Sequence, residues 1–436
     1  MGNKKILYIL IAVMVVAVFI TFILVLRNLG QPGAIGKTTY ITFWGVYDDR
    51  AAFDQVIRDF KTQNPNIDVR YRMFSYDTYE QQLINALAAG TGPDIFMVHN
   101  TWLPKRGDLL AALPASITGQ KQPLFTIQDY KSQFVDVAAQ DLTYQDQIYA
   151  VPLYVDTLAL YYNKDLFNGA ALTRPPMTWE EVNTDVSALT QIDQAGNITR
   201  PGIALGTARN INRSTDILMA MMLQSGVRMT SDDNSSATFD ASVGNQRIGQ
   251  LALQYYTDFA NPRKQVYSWN DSQHYSIDAF AEGNLAMMIG YSHTAALIKA
   301  KSPRLNFSVA SMPQASLANI RNFANYWAAG VSKSSKNQNL AWQFLAYLSS
   351  KNGQSAYLNA TNRPAARRDL IDLQRSDPDL GVFAIQALTA RSWFQADNTA
   401  IEGIFADMID DVNYNRATLA EAISQAQARV TVLMQK

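Results

Sequence analysis

Chemistry in a protein rests on nucleophiles, acid–base pairs or metal ligands, and this chain is poor in the first and the last. Its 436 residues include no cysteine and only three histidines, His99, His274 and His293. Thiol nucleophiles, disulfides, thiolate metal sites and lipid attachment at a cysteine are therefore excluded. Three histidines are too few for a histidine-rich metal centre, which leaves carboxylates as the only metal ligands to consider. No G-x-S-x-G, no H-E-x-x-H and no glycine-rich phosphate loop occurs. Neither a hydrolase of those classes nor a nucleotide site nor any cofactor is expected. A glycosidase would need two carboxyl groups at a fixed separation, which a sequence does not reveal. Binding, rather than catalysis, is the expectation.

The elements that would position binding groups come next. Tyr40–Phe43 reads as a buried strand, and Phe53, Val56, Ile57 and Phe60 follow at helical spacing. Asn64-Pro65 stops that helix. Val69, Tyr71 and Met73 alternate with polar residues as in a half-buried strand. Asp77 and Glu80 offer a capping box for a helix carrying Tyr79, Leu83 and Leu87, closed by Gly90-Thr91-Gly92-Pro93. Asp94–Val98 then reads as a central parallel strand. This β-α-β-α-β order predicts an α/β domain with a parallel sheet, whose ligands sit beyond the carboxyl ends of the strands. That rule selects His99, Asn100 and Trp102 after one strand, and Trp44 with Asp48 after the first. A core role for Trp44 and a satisfied loop role for His99 are the plain alternatives. Trp269, in the polar loop Tyr267–His274, is either a ligand cover or a lid over the core. Arg363, before Pro364, is either a cleft donor or a surface cation.

Composition bounds the class. With 48% hydrophobic and 17% charged residues, the chain can bury a large core, and its length suggests about two lobes. Lys+Arg and Asp+Glu both number 37, so no basic excess supports nucleic-acid binding. The N-terminus differs from the rest. Lys4 and Lys5 precede an apolar run from Ile6 to Leu26, broken only by Thr21 and followed by Arg27. As a helix the run would span roughly 30 Å, one bilayer core. Residues 1–27 are expected to be an uncleaved signal anchor or transmembrane helix, with 28–37 a linker and the remainder outside the cytoplasm. A long cleavable signal, using Ala34 and Gly36, is the alternative.

Five segments together carry a family resemblance. Gly92-Pro93-Asp94-Ile95-Phe96 resembles the G-x-P-D-I segment of extracellular solute-binding proteins of ABC importers, nearest the maltose-binding-like, carbohydrate-type group. Tyr149–Phe167, ending Tyr162-Asn163-Lys164-Asp165-Leu166-Phe167, resembles that group's crossover strand and its YYNKDLF signature. Pro175-Pro176-Met177-Thr178-Trp179-Glu180-Glu181 resembles its P-x-T-W-E-E helix start. Phe280–Gly290 resembles its F-x-x-G-x-A-M-x-x-G element. Ala329–Ser335, with Ala341–Leu345, resembles its second crossover and next helix. Physically, Thr178 with Glu181 reads as a capping box, and Asn352-Gly353 as a helix stop.

The resemblance implies an α/β, two-lobed periplasmic-binding-protein-like fold with a hinged interlobe cleft, preceded by the N-terminal transmembrane helix. Lobe one would take 38–153 and 329–370, and lobe two 158–325 and 371–436, with hinges near Tyr154, Trp327 and Asp369. A polar solute's cleft needs flat aromatic faces and bidentate polar groups. By resemblance, Tyr154 and Asp156 face it from the crossover, although Asp156 could instead serve the backbone. His293 stands where relatives often place a stacking tryptophan, with Tyr291 as a substitute, and Trp327 is either a second-crossover aromatic or interlobe packing. The implied function is capture of a sugar or oligosaccharide for an ABC permease whose ATPase is a separate chain. A sensory or adhesive carbohydrate-binding module is the alternative, and a carbohydrate-active enzyme the third.

Overall fold

The computed structural model describes residues 38–117 and 123–435, with the isolated positions 14, 16, 18 and 21. The expected anchor and linker thus lie outside the described residues, apart from Met14, Val16, Val18 and Thr21, which are helical. Among the described residues no helix is long and apolar enough to cross a membrane.

Thr39–Val46 (β1), Ile67–Phe74 (β2) and Ile95–His99 (β3) form a parallel set, with β1 between its two neighbours. All five residues of β3 are buried, as a strand covered on both faces requires. Ala51–Gln63 (α1) turns Phe53, Val56, Ile57 and Phe60 inward at the helical period. Tyr76–Ala88 (α2) does the same with Tyr79 and Leu83. Its N-cap is Ser75, and no side chain caps it; Asp77 lies within the first turn, so the expected Asp77–Glu80 box does not form. Gly90 ends the segment with φ +70°, a left-handed position that glycine takes without steric cost.

Three further strands complete this sheet. Leu110–Ala111 (β4), Ala150–Pro152 (β5) and Trp327–Ser332 (β11) join it antiparallel, with β11 pairing β3, β4 and β5. Asp94 ties distant motifs together. One carboxylate oxygen accepts from the Thr42 backbone N–H at 2.8 Å, and the other from Ser335 Oγ at 2.6 Å. Two segments of the family resemblance therefore meet at a single half-buried carboxylate.

A second core surrounds Ala159–Asn163 (β7), which pairs antiparallel with Met287–Gly290 (β8) and Phe307–Ala310 (β9). Trp179–Leu189 (α3) starts where the resemblance expects it. Thr178 accepts from the Glu181 N–H, but the Glu181 carboxylate turns to Arg174 and the Met177 N–H, so half the capping box is made. Ser214–Gln224 (α4) is apolar nearly all round and buried along its length, as a core helix should be. Asn352-Gly353 is not a helix stop. Ser350 caps the helix Lys351–Thr361 and accepts from the Gly353 N–H, so the pair lies in a first turn. Glycine is needed there because a Cβ would meet the Tyr347 carbonyl.

Among the described residues the chain crosses between cores three times. Leu153 and Val155 pack in the first core and Leu158 in the second. Phe323 packs in the second and Ala324 and Tyr326 in the first. The third crossing falls later than Asp369: Ile371, Ala384, Ala387 and Ala390 sit in the first core while Phe383 sits in the second. A small sheet, Asp156–Thr157 (β6), Asn322–Asn325 (β10) and Ala390–Arg391 (β12), binds the crossings together.

Candidate functional site

A cavity of about 410 Å³ lies where the two cores face each other across these crossings. Residues of both cores wall it. Tyr47, Tyr76, His99, Asn100, Tyr154, Trp327 and Arg363 come from the side of the first, and Asn212, Arg213, Asp216, Tyr291, His293, Asn398 and Glu402 from the side of the second. Asp156 and Asn325 contribute from the crossings themselves.

Strand alternation explains the inner wall. On the segment joining β10 to β11, Asn325 and Trp327 face the cavity, while Tyr326 between them reaches away, its hydroxyl donating to Asp141 at 2.9 Å. Trp327 is 4% exposed and stands edge-on to His99, ring centroids 5.3 Å apart. His99 Nε2 meets Asn325 Oδ1 at 3.1 Å and its Nδ1 meets Thr101 Oγ1 at 2.9 Å.

Charge in the cavity is paired. Arg213 Nε and Nη2 both donate to Asp216 Oδ2, at 2.9 and 2.7 Å, and the Tyr291 hydroxyl adds a third donor at 2.7 Å. Asp216 Oδ1 accepts no hydrogen bond among the described residues. It is a charged acceptor free for a hydroxyl. Arg363 Nη2 donates to Asp48 at 2.6 Å, and its guanidinium lies 4.3 Å from the Tyr154 ring centre. The Arg363 Nε is buried with no partner among the described residues. Asp156 accepts from the Thr157 N–H at 2.9 Å and from Ser292 Oγ at 2.7 Å. It therefore serves the backbone of the crossing while also lining the cavity.

Eight sequence-selected residues meet here: His99, Asn100, Tyr154, Asp156, Tyr291, His293, Trp327 and Arg363. Four do not. β1 runs on to Val46, so Trp44 lies within the sheet against Phe74, ring centres 4.4 Å apart, and Tyr47 takes the place after the strand. Asp48 stands behind Arg363, where it also accepts from the Tyr357 hydroxyl at 2.7 Å. Trp102 packs behind Trp327, against Tyr79. Trp269 is wholly buried in the second core, its indole N–H bonded to Asn210 at 3.1 Å, so it is the core lid and not the ligand cover. The missed residues include Asn212, Arg213 and Asp216. The polar run Asn212–Asp216 before the apolar Ile217–Leu223 could have marked them as the start of a buried helix.

Burial sets the protonation states. His99 and His293 are each lowered to about 4, mainly by burial, with the nearby arginines acting in the same direction. Exposed His274 is raised instead, by its bond to Glu282. Asp156 is pushed up to about 6, again mainly by burial. For the two buried histidines the unfolded chain takes protons first as pH falls from about 6.5, so their contribution to stability is lost between about 6.5 and 4. Asp156 acts oppositely: its folded pKa exceeds the unfolded one, so it costs stability as pH rises from about 4 to about 6. Proton NMR can follow all three histidines. Two are expected to titrate near 4 and one above its ordinary value; two buried rings titrating near 6.5 would contradict the described packing.

The family described as bacterial extracellular solute-binding protein matches residues 44–355. The maltodextrin-binding protein MdxE of Bacillus subtilis is 26% identical over 342 residues, covering 74% of this chain and 74% of that protein. An ABC transporter solute-binding protein of Thermotoga lettingae, solved with α-D-tagatose, is 25% identical with a TM-score of 0.69, covering 91% of this chain and all of that one. The sugar-binding protein MalE of Xanthomonas citri superposes with a TM-score of 0.74 at 21% identity, covering 91% of this chain and 97% of that one. The two-lobed α/β architecture is thus shared. Since the family match spans most of the chain and takes in both cores and the first two crossings, this chain belongs to the bacterial extracellular solute-binding proteins.

Proposed function

We propose that the protein captures a sugar or short oligosaccharide outside the cytoplasm and presents it to an ABC-type permease, tethered to the membrane by its apolar N-terminal run. The observation that carries this reading is the cavity's make-up. Aromatic faces of Trp327 and Tyr154 stand beside paired arginines, a free carboxylate oxygen on Asp216 and the amides Asn100 and Asn325. Flat rings suit the apolar faces of a pyranose, and fixed, ion-paired polar groups suit its hydroxyls. The named ligands of the relatives, maltodextrin and tagatose, are of the same class.

In this reading lobe one is 38–153 with 329–370, and lobe two is 158–325 with the C-terminal part, residues 371–390 bridging the two. Contact with both lobes at once supplies the differential affinity that closes the cleft.

Sugar binding is tested by thermal unfolding of the full chain, followed by intrinsic tryptophan fluorescence, against mono- and disaccharides. A ligand at a hundredfold excess over Kd stabilises by about 2.7 kcal/mol, and at least one sugar is expected to raise Tm. A flat response across the panel would reject the reading. The tether is tested separately. Expressed in a bacterium, the protein is expected to sediment with membranes and to retain Met1–Lys37 by mass. A soluble mature form beginning near Lys37 would reject it.

A further inference from the structure

We propose that Asp141 and Ser392 form a proton-operated catch behind the crossings that holds the two lobes apart, so that acid outside the cell loosens it and favours the closed form. The inference rests on the hinged, two-lobed reading above and adds a regulator to it.

A second groove, of about 1460 Å³, lies on the other face of the crossings. Tyr326 marks that face. Asn325 and Trp327 point into the first cavity, whereas Tyr326 between them points to Asp141, which lines the groove and not the cavity. Both cores wall the groove, with Leu110 and Tyr149 on the side of the first and Leu223, Val227 and Met229 on the side of the second. Asn100, Thr101 and Ser392 border both spaces.

Three donors converge on the half-buried Asp141 carboxylate. The Tyr326 hydroxyl at 2.9 Å and Asn100 Nδ2 at 3.1 Å donate to one oxygen, and Ser392 Oγ donates to the other. Asp141 sits on the helix Asp136–Leu142, whose Val137, Ala138 and Leu142 pack in the first core. Ser392 directly precedes Trp393, which packs in the second. The Ser392 bond is therefore a link between lobes, placed behind the crossings. Turning the lobes about the crossings so as to narrow the first cavity widens the groove behind and stretches this link. The bond opposes closure.

The choice of a carboxylate is the second observation. No cation pairs with Asp141 among the described residues. An amide oxygen could accept at this place with a smaller desolvation cost. What the carboxylate adds is a charge that a proton can remove. Burial pushes Asp141 up to about 6, against the pull of its three donors. Hydrogen bonds to a charged acceptor are about twice as strong as neutral ones, so the catch holds above that pH and loosens below it. The groups around Asp141 leave this titration to it. Tyr130 and Tyr326 are raised well above their ordinary value and stay neutral. Arg391 donates to the Ala390 carbonyl, and Tyr144 is exposed. Lys105, Asp108, Arg228, Asp232, Asp233 and Lys333 line the groove without bonding to Asp141.

Double electron–electron resonance on the full chain, without sugar, tests the catch, using spin labels at the exposed positions Gln81→Cys, beside the first core, and Ser272→Cys, beside the second. Between about pH 7.5 and about pH 5 the ratio of closed to open molecules in the otherwise unaltered protein is expected to rise about three- to tenfold, which is what a charge adds to one hydrogen bond. Asp141→Asn and Ser392→Ala are each expected to show the raised ratio at both pH values. Ser392→Thr keeps the hydroxyl and should respond as the unaltered protein does. Asp156 titrates in the same range from the first cavity, but it is common to all four proteins, so the differences among them report on Asp141. A ratio indifferent to pH in the unaltered protein would overturn the catch, as would an undiminished pH response in Asp141→Asn and Ser392→Ala. Sugar takes no part in the experiment, so either result leaves the sugar-binding reading standing.

Discussion

Trp327→Ala is expected to lower the stability of the protein by about 3–5 kcal/mol, the range for emptying a buried tryptophan site, and to reduce sugar affinity below detection. Two roles coincide in this side chain. It is 4% exposed and packs edge-on to Tyr79, Trp102 and His99, so removal opens a void that rigid rings cannot refill. It is also the inner aromatic face of the cavity, at the point where the chain passes from β10 to β11. Denaturant unfolding monitored by circular dichroism measures the first effect and calorimetry the second. Trp327→Phe separates them: it should recover most of the stability while leaving affinity reduced. Full affinity in a stable Trp327→Ala protein would show that the sugar is held elsewhere.

Asp216→Ala is expected to have a comparable effect on the other wall. The carboxylate is 4% exposed and holds Arg213, Tyr291 and Asn325 through one oxygen. Removing one partner of a buried ion pair leaves the other charge uncompensated, which costs about 3–5 kcal/mol. Arg213 is 30% exposed at its side chain, so partial hydration will bring the loss toward the lower end. Binding loses both the free Oδ1 acceptor and the fixed position of the arginine. A charge-assisted hydrogen bond contributes about 1.5–3 kcal/mol, so affinity should fall at least tenfold to a hundredfold. Asp216→Asn should retain more stability than Asp216→Ala, because an amide oxygen still accepts from Tyr291. A variant with unchanged affinity would remove Asp216 from the site.

Much of this arrangement could be read along the chain. The β-α-β-α-β start and the buried strand at 94–98 follow from apolar period, and the crossovers near Tyr154 and Trp327 from the family resemblance. His99 and Asn100 followed from the rule for strand ends. That rule misplaced Trp44 because it depended on where the first strand stops. Tyr40–Phe43 reads as the apolar run, but pairing with β2 carries β1 to Val46 and passes the cleft position to Tyr47. Asp48 illustrates a different gap. Its neighbour in space, Arg363, is 315 residues away, and no local pattern distinguishes a carboxylate that touches a ligand from one that holds the residue that does. Trp269 had two readings because a polar loop says nothing about which surface it folds onto; bonds from Asn210 to the carbonyls of Asn270 and Gln273 fold it onto the core. Arg213 and Asp216 were hidden for the same reason. Three residues apart at a helix start, they resemble an ordinary surface ion pair until the helix is seen to be buried.

The central claim is that a sugar is gripped by both lobes and draws them together. Because the chain lacks cysteine, Gln81→Cys on α2, which packs on the first core, and Ser272→Cys, in the loop between Trp269 and Ile277 of the second core, provide two unique, exposed spin-label sites, one on each side of the crossings. Double electron–electron resonance on the full chain then measures the distance between them. With a sugar identified by thermal unfolding, the distance distribution should move to shorter values and narrow, in proportion to occupancy. A distribution unchanged at saturating sugar would contradict the claim, and would mean that the solute sits on one lobe without closing the cleft.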